Sequence, residues 1–372
     1  MKKTTATSKF RAAVSILLFF ALAAGLLFYL NCVFDLKDDK SSEKVFEAFY
    51  NQKENSLDGI YLGSSAVYRY FVPTQAFEDK GMAIFDLGTG SQPIVLDKYI
   101  IREALKTQPD MKVIVIDIRS LTSSDELLKE ADIRRVTDAM KQSKNRIDAI
   151  NAGLEYFRER NADISYNKMY YYFPFLLYHN RWNEDIGLED LKGTTEGNLY
   201  KGFIATNHSM TSVAVEQPTY TTEKTEPEAS NKAVLQDLLD YCSTLDQKVI
   251  FVSSPFAISE DRQKLLNSYT EMIRDAGFTM YNFNTEEGAA EIGLDWDTDF
   301  LDSGHVNYYG AVKFTRWMEK AIAKEVQLED HRNDLDYESW VQAAGNLAKE
   351  LKIVEVTDSW PAYTDDSSDD GE

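Results

Sequence analysis

Apolar and polar positions alternate on three different scales along the chain. The first is a single run, Ala12–Leu30 (AAVSILLFFALAAGLLFYL), in which Ser15 is the one polar residue. At about 1.5 Å per residue, a helix of this length crosses the hydrocarbon core of a bilayer. The second scale is short. Asp58–Leu62, Met82–Leu87, Val113–Ile118, Lys248–Ser253 and Thr279–Phe283 are compact apolar runs, most of them bounded by glycine, proline or serine. Runs of this kind predict strands buried on both faces of a parallel sheet. The third scale is helical. Leu265, Leu266, Tyr269, Met272 and Ile273 recur along one face of 260–276, and helices are also expected over 93–107, 125–143, 231–245 and 309–326. Strands alternating with helices predict an α/β fold: a three-layer domain over 55–327 with a parallel sheet at its centre.

Outside this rhythm the chain divides as follows. Residues 1–11 are a polar stub, 12–34 the apolar segment and 35–54 a polar stalk containing a first helix. Residues 144–230 interrupt the α/β pattern without clear strands or helices. This insertion holds an aromatic stretch, Tyr166–Trp182, and a Thr-, Glu- and Pro-rich stretch, Gln217–Ser230, that reads as a mobile loop. So long an insertion in a compact fold commonly forms a lid or a binding rim. Residues 328–357 read as a helical extension, with an amphipathic helix over 336–351. Residues 358–372 form an acidic tail expected to be disordered.

Charge adds a direction. The formal net charge is −21, from 40 basic and 61 acidic residues. Residues 1–34 carry Lys2, Lys3, Lys9 and Arg11 and no acid, so 36 bases and all 61 acids follow them. The positive-inside rule then places the N-terminus in the cytoplasm and the main domain outside, at the cell envelope of a bacterium. The competing readings are a cleaved signal peptide, given Ala21-Leu22-Ala23, and a lipoprotein at Cys32. The apolar run continues past the first, and Asn31 is unsuited to the second. An ectodomain this acidic is a poor partner for nucleic acid. Two cysteines, Cys32 and Cys242, exclude a disulfide scaffold, and no His/Cys/carboxylate group has metal-ligand spacing. Gly88-Thr89-Gly90 lacks the third glycine of a dinucleotide fingerprint and the lysine of a P-loop, so no cofactor is expected.

Sites in open α/β sheets lie beyond the carboxyl ends of the strands. After the first strand comes Gly63-Ser64-Ser65-Ala66, where a serine between a strand and a helix is placed to act as a nucleophile. Val67 rules out the G-x-S-x-G elbow. Before the last domain helix comes Asp302-Ser303-Gly304-His305, whose acid and imidazole are three residues apart. That spacing lets a carboxylate orient an imidazole that deprotonates a hydroxyl. Of the other histidines, His179 stands with Arg181 and Trp182, a trio suited to the rim of a sugar or anionic-polymer site, while His208 and His331 read as surface residues.

With these blocks the chain resembles the SGNH (GDSL-like) hydrolase superfamily. The resemblance covers about 55–327 apart from the insertion, and the Asp302–His305 block followed by Asn307 and Gly310 is its most specific part. It implies a flavodoxin-like parallel sheet and a catalytic Ser65–His305–Asp302 set. It also implies an oxyanion donor from the backbone of Gly90 or Ser91. The superfamily's third block ends on an asparagine that donates to the oxyanion, and Arg119 stands at that position here. An arginine there could donate to the oxyanion, bind a phosphate or carboxylate of the substrate, or pair with Asp117. Together with the N-terminal anchor, this departure resembles the envelope-modifying branch, which includes the membrane-anchored protein of teichoic-acid D-alanylation and the alginate O-acetylation proteins. The implied activity is acyl-ester hydrolysis or O-acyl transfer on an acylated small molecule or envelope glycan, beside a membrane-bound O-acyltransferase. The alternative is an inactive relative that binds an envelope polymer or that acyltransferase.

Overall fold

The computed structural model describes residues 3–34, 40–124, 127–178, 180, 183 and 200–353. Five strands, β1 (Gly59–Gly63), β2 (Ile84–Gly88), β3 (Val113–Asp117), β4 (Lys248–Ser253) and β5 (Thr279–Asn282), form one parallel sheet in the order β2-β1-β3-β4-β5. Strand side chains alternate between two cores. Ile60, Leu62, Ile114, Ile116 and Phe251 face one, which the helices Asp97–Ala104, Ala229–Cys242 and Glu260–Asp275 cover. Tyr61, Val113, Val115, Ile250 and Val252 face the other, under the helix Tyr308–Glu325. Both faces are covered, which is why the strands read as unbroken apolar runs. The first strand pairs with β2 on one side and β3 on the other. The connections therefore diverge there, and their carboxyl ends open a crevice between the loops after β1 and β3.

The helix Lys3–Phe34 contains a segment, Ser8–Leu30, long and apolar enough to cross a membrane. Most apolar side chains of that segment are exposed, Phe10 and Leu22 at 70% and 73%, while Val33 at the end of the helix is buried.

Several expectations are corrected. The proposed stalk is largely part of the domain: the helix Lys40–Tyr50 buries Val45, Phe46 and Phe49 against the sheet, and Phe49 meets Phe85 edge to face. The insertion is not without rhythm, because Lys144–Glu159 is a helix of 16 residues. Its polar appearance came from Arg146, which is buried, donating to the carbonyls of Thr137 and Tyr171 and pairing with Asp138. Residues 217–228 are not a free loop either. Thr221 accepts from Asn267 and donates to Gln263, and the Thr225 carbonyl accepts from Ser268, so this strap is bound along the helix Glu260–Asp275. The aromatic stretch is split between a buried residue, Tyr171, in a small separate core, and the half-exposed short helix Phe175–Tyr178. His331 is not on the surface. It is buried, hydrogen-bonded to Asp58 at 3.2 Å and stacked on Tyr337. His208 is exposed, as expected. The C-terminal extension forms the helix Glu338–Glu350, whose Trp340 is buried on Phe77. The acidic tail, 358–372, lies outside the described residues.

One buried acid sets a pH dependence. Glu319, on the inner face of Tyr308–Glu325, is 2% exposed, and its Oε1 has no hydrogen-bond partner. Burial, with Asp79 adding to it, pushes its carboxyl from 4.5 up to about 8. A folded-state value above the unfolded one gives stability that is full below pH 4.5 and is lost as pH rises through about 8. Glu319→Gln is therefore expected to raise the melting temperature at high pH by about 4 °C, with little effect in mild acid. Melting curves across that window check it, and an equal shift at both ends would contradict it.

Candidate active site

Three strand ends build the site. At β1, Gly63 adopts φ +145°, and a Cβ there would meet the Asp117 carbonyl at 2.9 Å. Glycine therefore lets the chain leave the sheet against β3. Its neighbour in register, Gly88, is equally confined, since a Cβ would meet the Gly63 carbonyl at 2.8 Å. Ser65 stands two residues after Gly63 and precedes the short helix Val67–Tyr70, with its side chain half-buried at the crevice. Gly63→Ala is expected to cost about 2 kcal/mol or more and to displace Ser65. Thermal melting should show the loss, and labelling of Ser65 by a serine-directed probe should show the displacement.

The second contribution is a hairpin. Strands β6 (Phe300–Asp302) and β7 (His305–Val306) pair antiparallel with Asp302 opposite His305, and Ser303-Gly304 forms the tip. This brings Asp302 and His305 side by side. His305 Nδ1 lies 3.0 Å from both Asp302 carboxylate oxygens, and Asp302 Oδ1 also accepts from the Gly304 amide at 2.7 Å. The carboxylate accepts the Nδ1 proton, which leaves Nε2 as an acceptor. His305 Nε2 is 2.8 Å from Ser65 Oγ. Burial pushes the Asp302 carboxyl up, but the bond and charge of His305 and the amides of Gly304 and His305 outweigh it, so it lies below the usual carboxylate range. Asn307 caps the next helix through the Gly310 amide and ties the hairpin to Thr211, Ser212 and Thr298.

The third contribution follows β3. Arg119 is 9% exposed and donates from Nη1 to the Gly304 carbonyl at 2.7 Å and to the Tyr70 hydroxyl at 3.5 Å. Tyr70 also donates to the carbonyls of Gly304 and Pro255. Of the three alternatives for Arg119, a side-chain pair with Asp117 is not formed: it is the Arg119 backbone amide that donates to Asp117, at 2.8 Å. The remaining bonds to Asp117 come from the Ser254 amide and the Tyr61 hydroxyl. Arg119 thus braces the turn that carries His305.

Ser65, Asp302, His305 and Arg119 therefore meet at one place. Gly90 and Ser91 stand at the adjoining end of β2, where the Thr89 amide donates to the Gly63 carbonyl and the Gly90 carbonyl accepts from Arg135. Ser91 takes φ +52°. His179, Arg181 and Trp182 lie outside the described residues. Sequence reasoning missed Tyr70, Phe256 and Arg262. Phe256 follows the Pro255 that closes β4, and a search of every strand end would have reached it. No family model, curated protein or solved structure matches the chain.

Proposed function

We propose that the chain is a membrane-anchored serine acyl-ester hydrolase or O-acyltransferase, with a flavodoxin-like SGNH domain that faces the cell envelope. One observation carries the reading: Ser65, His305 and Asp302 form a continuous hydrogen-bonded chain at the crevice, although 240 residues separate the first two. The bond from Ser65 Oγ to Nε2 positions His305 to take the hydroxyl proton as Oγ attacks an acyl carbonyl. Asp302 holds the imidazole in the required tautomer and stabilises it once protonated. Collapse of the tetrahedral intermediate breaks the ester bond, and Nε2–H returns the proton to the leaving oxygen. Water then releases the acyl group in a hydrolase, or a polymer hydroxyl accepts it in a transferase, with His305 again taking the proton. The developing oxyanion falls to the amides of Gly90 or Ser91, and Arg119 keeps the His305 turn fixed.

The N-terminal apolar helix, with its cationic stub, supports the envelope location. The test is covalent labelling of the full chain in detergent by a fluorophosphonate, followed by mapping of the modified peptide. Modification at Ser65 is expected. Failure to label, or equal labelling after Ser65→Ala, would remove the reading and favour a polymer-binding relative without turnover.

A further inference from the structure

Two neighbouring arginines beyond the strand ends have no acid partner among the described residues. Arg119 and Arg262 both lie against the Phe256 ring, with guanidinium carbons 4.7 and 4.6 Å from its centroid. Arg262 opens the helix Glu260–Asp275 after β4, and its bonds go from Nε and Nη2 to the Thr122 hydroxyl at 3.3 and 3.2 Å. Arg119 donates from Nη1 alone. Among the described residues no carboxylate pairs with either guanidinium. Asp117, two residues before Arg119, is filled by two amides and a hydroxyl, and of the two acids that precede Arg262, Glu260 pairs with Lys264 and Asp261 is exposed. Other buried arginines behave differently: Arg134 pairs with Glu130 and Asp138, and Arg146 with Asp138. In a chain with 61 acids and 40 bases, two neighbouring cations without a counter-charge among the described residues stand out. Burial, with the charge of Arg119 adding to it, lowers Arg262 to about 10. Arg119 lies next to the chemistry, because it touches Gly304, the neighbour of His305, and the segment that carries Phe256 does too, since the Ala257 amide donates to the Ser303 carbonyl; Arg262 joins them through the Phe256 ring.

We propose that Arg119 and Arg262 form an anion subsite, so that the ester substrate carries a carboxylate or phosphate close to the scissile bond. The inference rests on the hydrolase reading for its substrate and on this side-chain cluster for its site. The unused N–H groups of Arg119 Nε and Nη2 and of Arg262 Nη1 supply forked donors suited to a planar or tetrahedral oxyanion, and Phe256 spaces them. The bulk field of the domain repels anions, so attraction must be local and short-ranged.

Three acetyl esters test this on the full chain in detergent: methyl 4-acetoxybenzoate, which is neutral, 4-acetoxybenzoate, and 4-acetoxyphenyl phosphate. The wild type is expected to prefer an anionic ester, and the ratio between the two anionic ones assigns carboxylate or phosphate. Arg262→Gln should raise KM for the preferred anionic ester about tenfold, the loss of roughly one charge-assisted bond, and leave the neutral ester within about twofold. Arg262→Lys should fall between, and Arg158→Gln, at an exposed site, should change nothing. Inorganic phosphate or benzoate should raise the melting temperature of the wild type and not of Arg262→Gln. Equal effects of Arg262→Gln on neutral and anionic esters, or stabilisation by these anions that survives it, would overturn the subsite. Absence of Ser65-dependent turnover alongside anion stabilisation that needs Arg262 would retain the subsite and remove the hydrolase reading instead.

Discussion

Ser65→Ala is expected to abolish fluorophosphonate labelling and to lower acetyl-ester turnover by about 10⁴-fold or more, with the fold intact. The size follows from the step removed. Without Oγ there is no acyl-enzyme, and what is left is attack by water assisted by the surrounding donors. Stability should change little, because the half-buried hydroxyl makes one hydrogen bond, to His305, and such a bond is worth about 1 kcal/mol net. His305→Ala should match Ser65→Ala in turnover, and the double variant should lose no more than either single one, because the two act as a unit. Turnover in Ser65→Ala within tenfold of wild type, at matched melting temperature, would exclude the serine as nucleophile.

That prediction was open to a reader of the sequence, and the reason is physical. Strands buried on both faces must be continuous apolar runs, so all five sheet strands were visible, and Lys248–Ser253 was placed to the residue. In a parallel sheet, the residues after each strand collect at one edge. Ser65 and the Asp302–His305 block could thus be joined from their places in the chain, although a hairpin and not a helical turn unites the last two. What stayed hidden depended on long-range compensation. Arg146 made Lys144–Glu159 look polar, because its buried charge is met by Asp138 and two carbonyls that no local pattern reveals. His331 looked superficial for the same reason, its partner Asp58 being 273 positions away. Arg119 was seen as a departure from a motif, but its company, Arg262 and Phe256, was not. They come from a different strand end, and only the fold shows that no acid among the described residues joins them.

Asp302→Asn is expected to be the next most damaging change, and its size separates two roles for the carboxylate. Asparagine can still accept from the His305 Nδ1 proton and from the Gly304 amide, so the imidazole keeps its orientation when the amide oxygen faces it. Lost is the charge opposite the imidazolium that forms in the transition state. In a buried triad the same substitution costs about 10⁴-fold in kcat, where the asparagine also favours the wrong tautomer of the imidazole. The Asp302 side chain is 54% exposed, so water already screens its charge. A loss of about 10²–10³-fold is therefore expected, with KM nearly unchanged, since the group does not touch the substrate. The pH dependence provides the second readout. The pull of His305 and the amides holds Asp302 below its ordinary value of 3.8, so its contribution is full above that value and is lost only as pH falls through the lowered one. The ratio of wild-type to Asp302→Asn turnover should accordingly stay constant from about pH 5 to 9, where the carboxylate is ionised throughout. A ratio that falls toward unity already near pH 5 would mean that Asp302 takes up its proton in that range, and a ratio near unity at every pH would mean that His305 works without it.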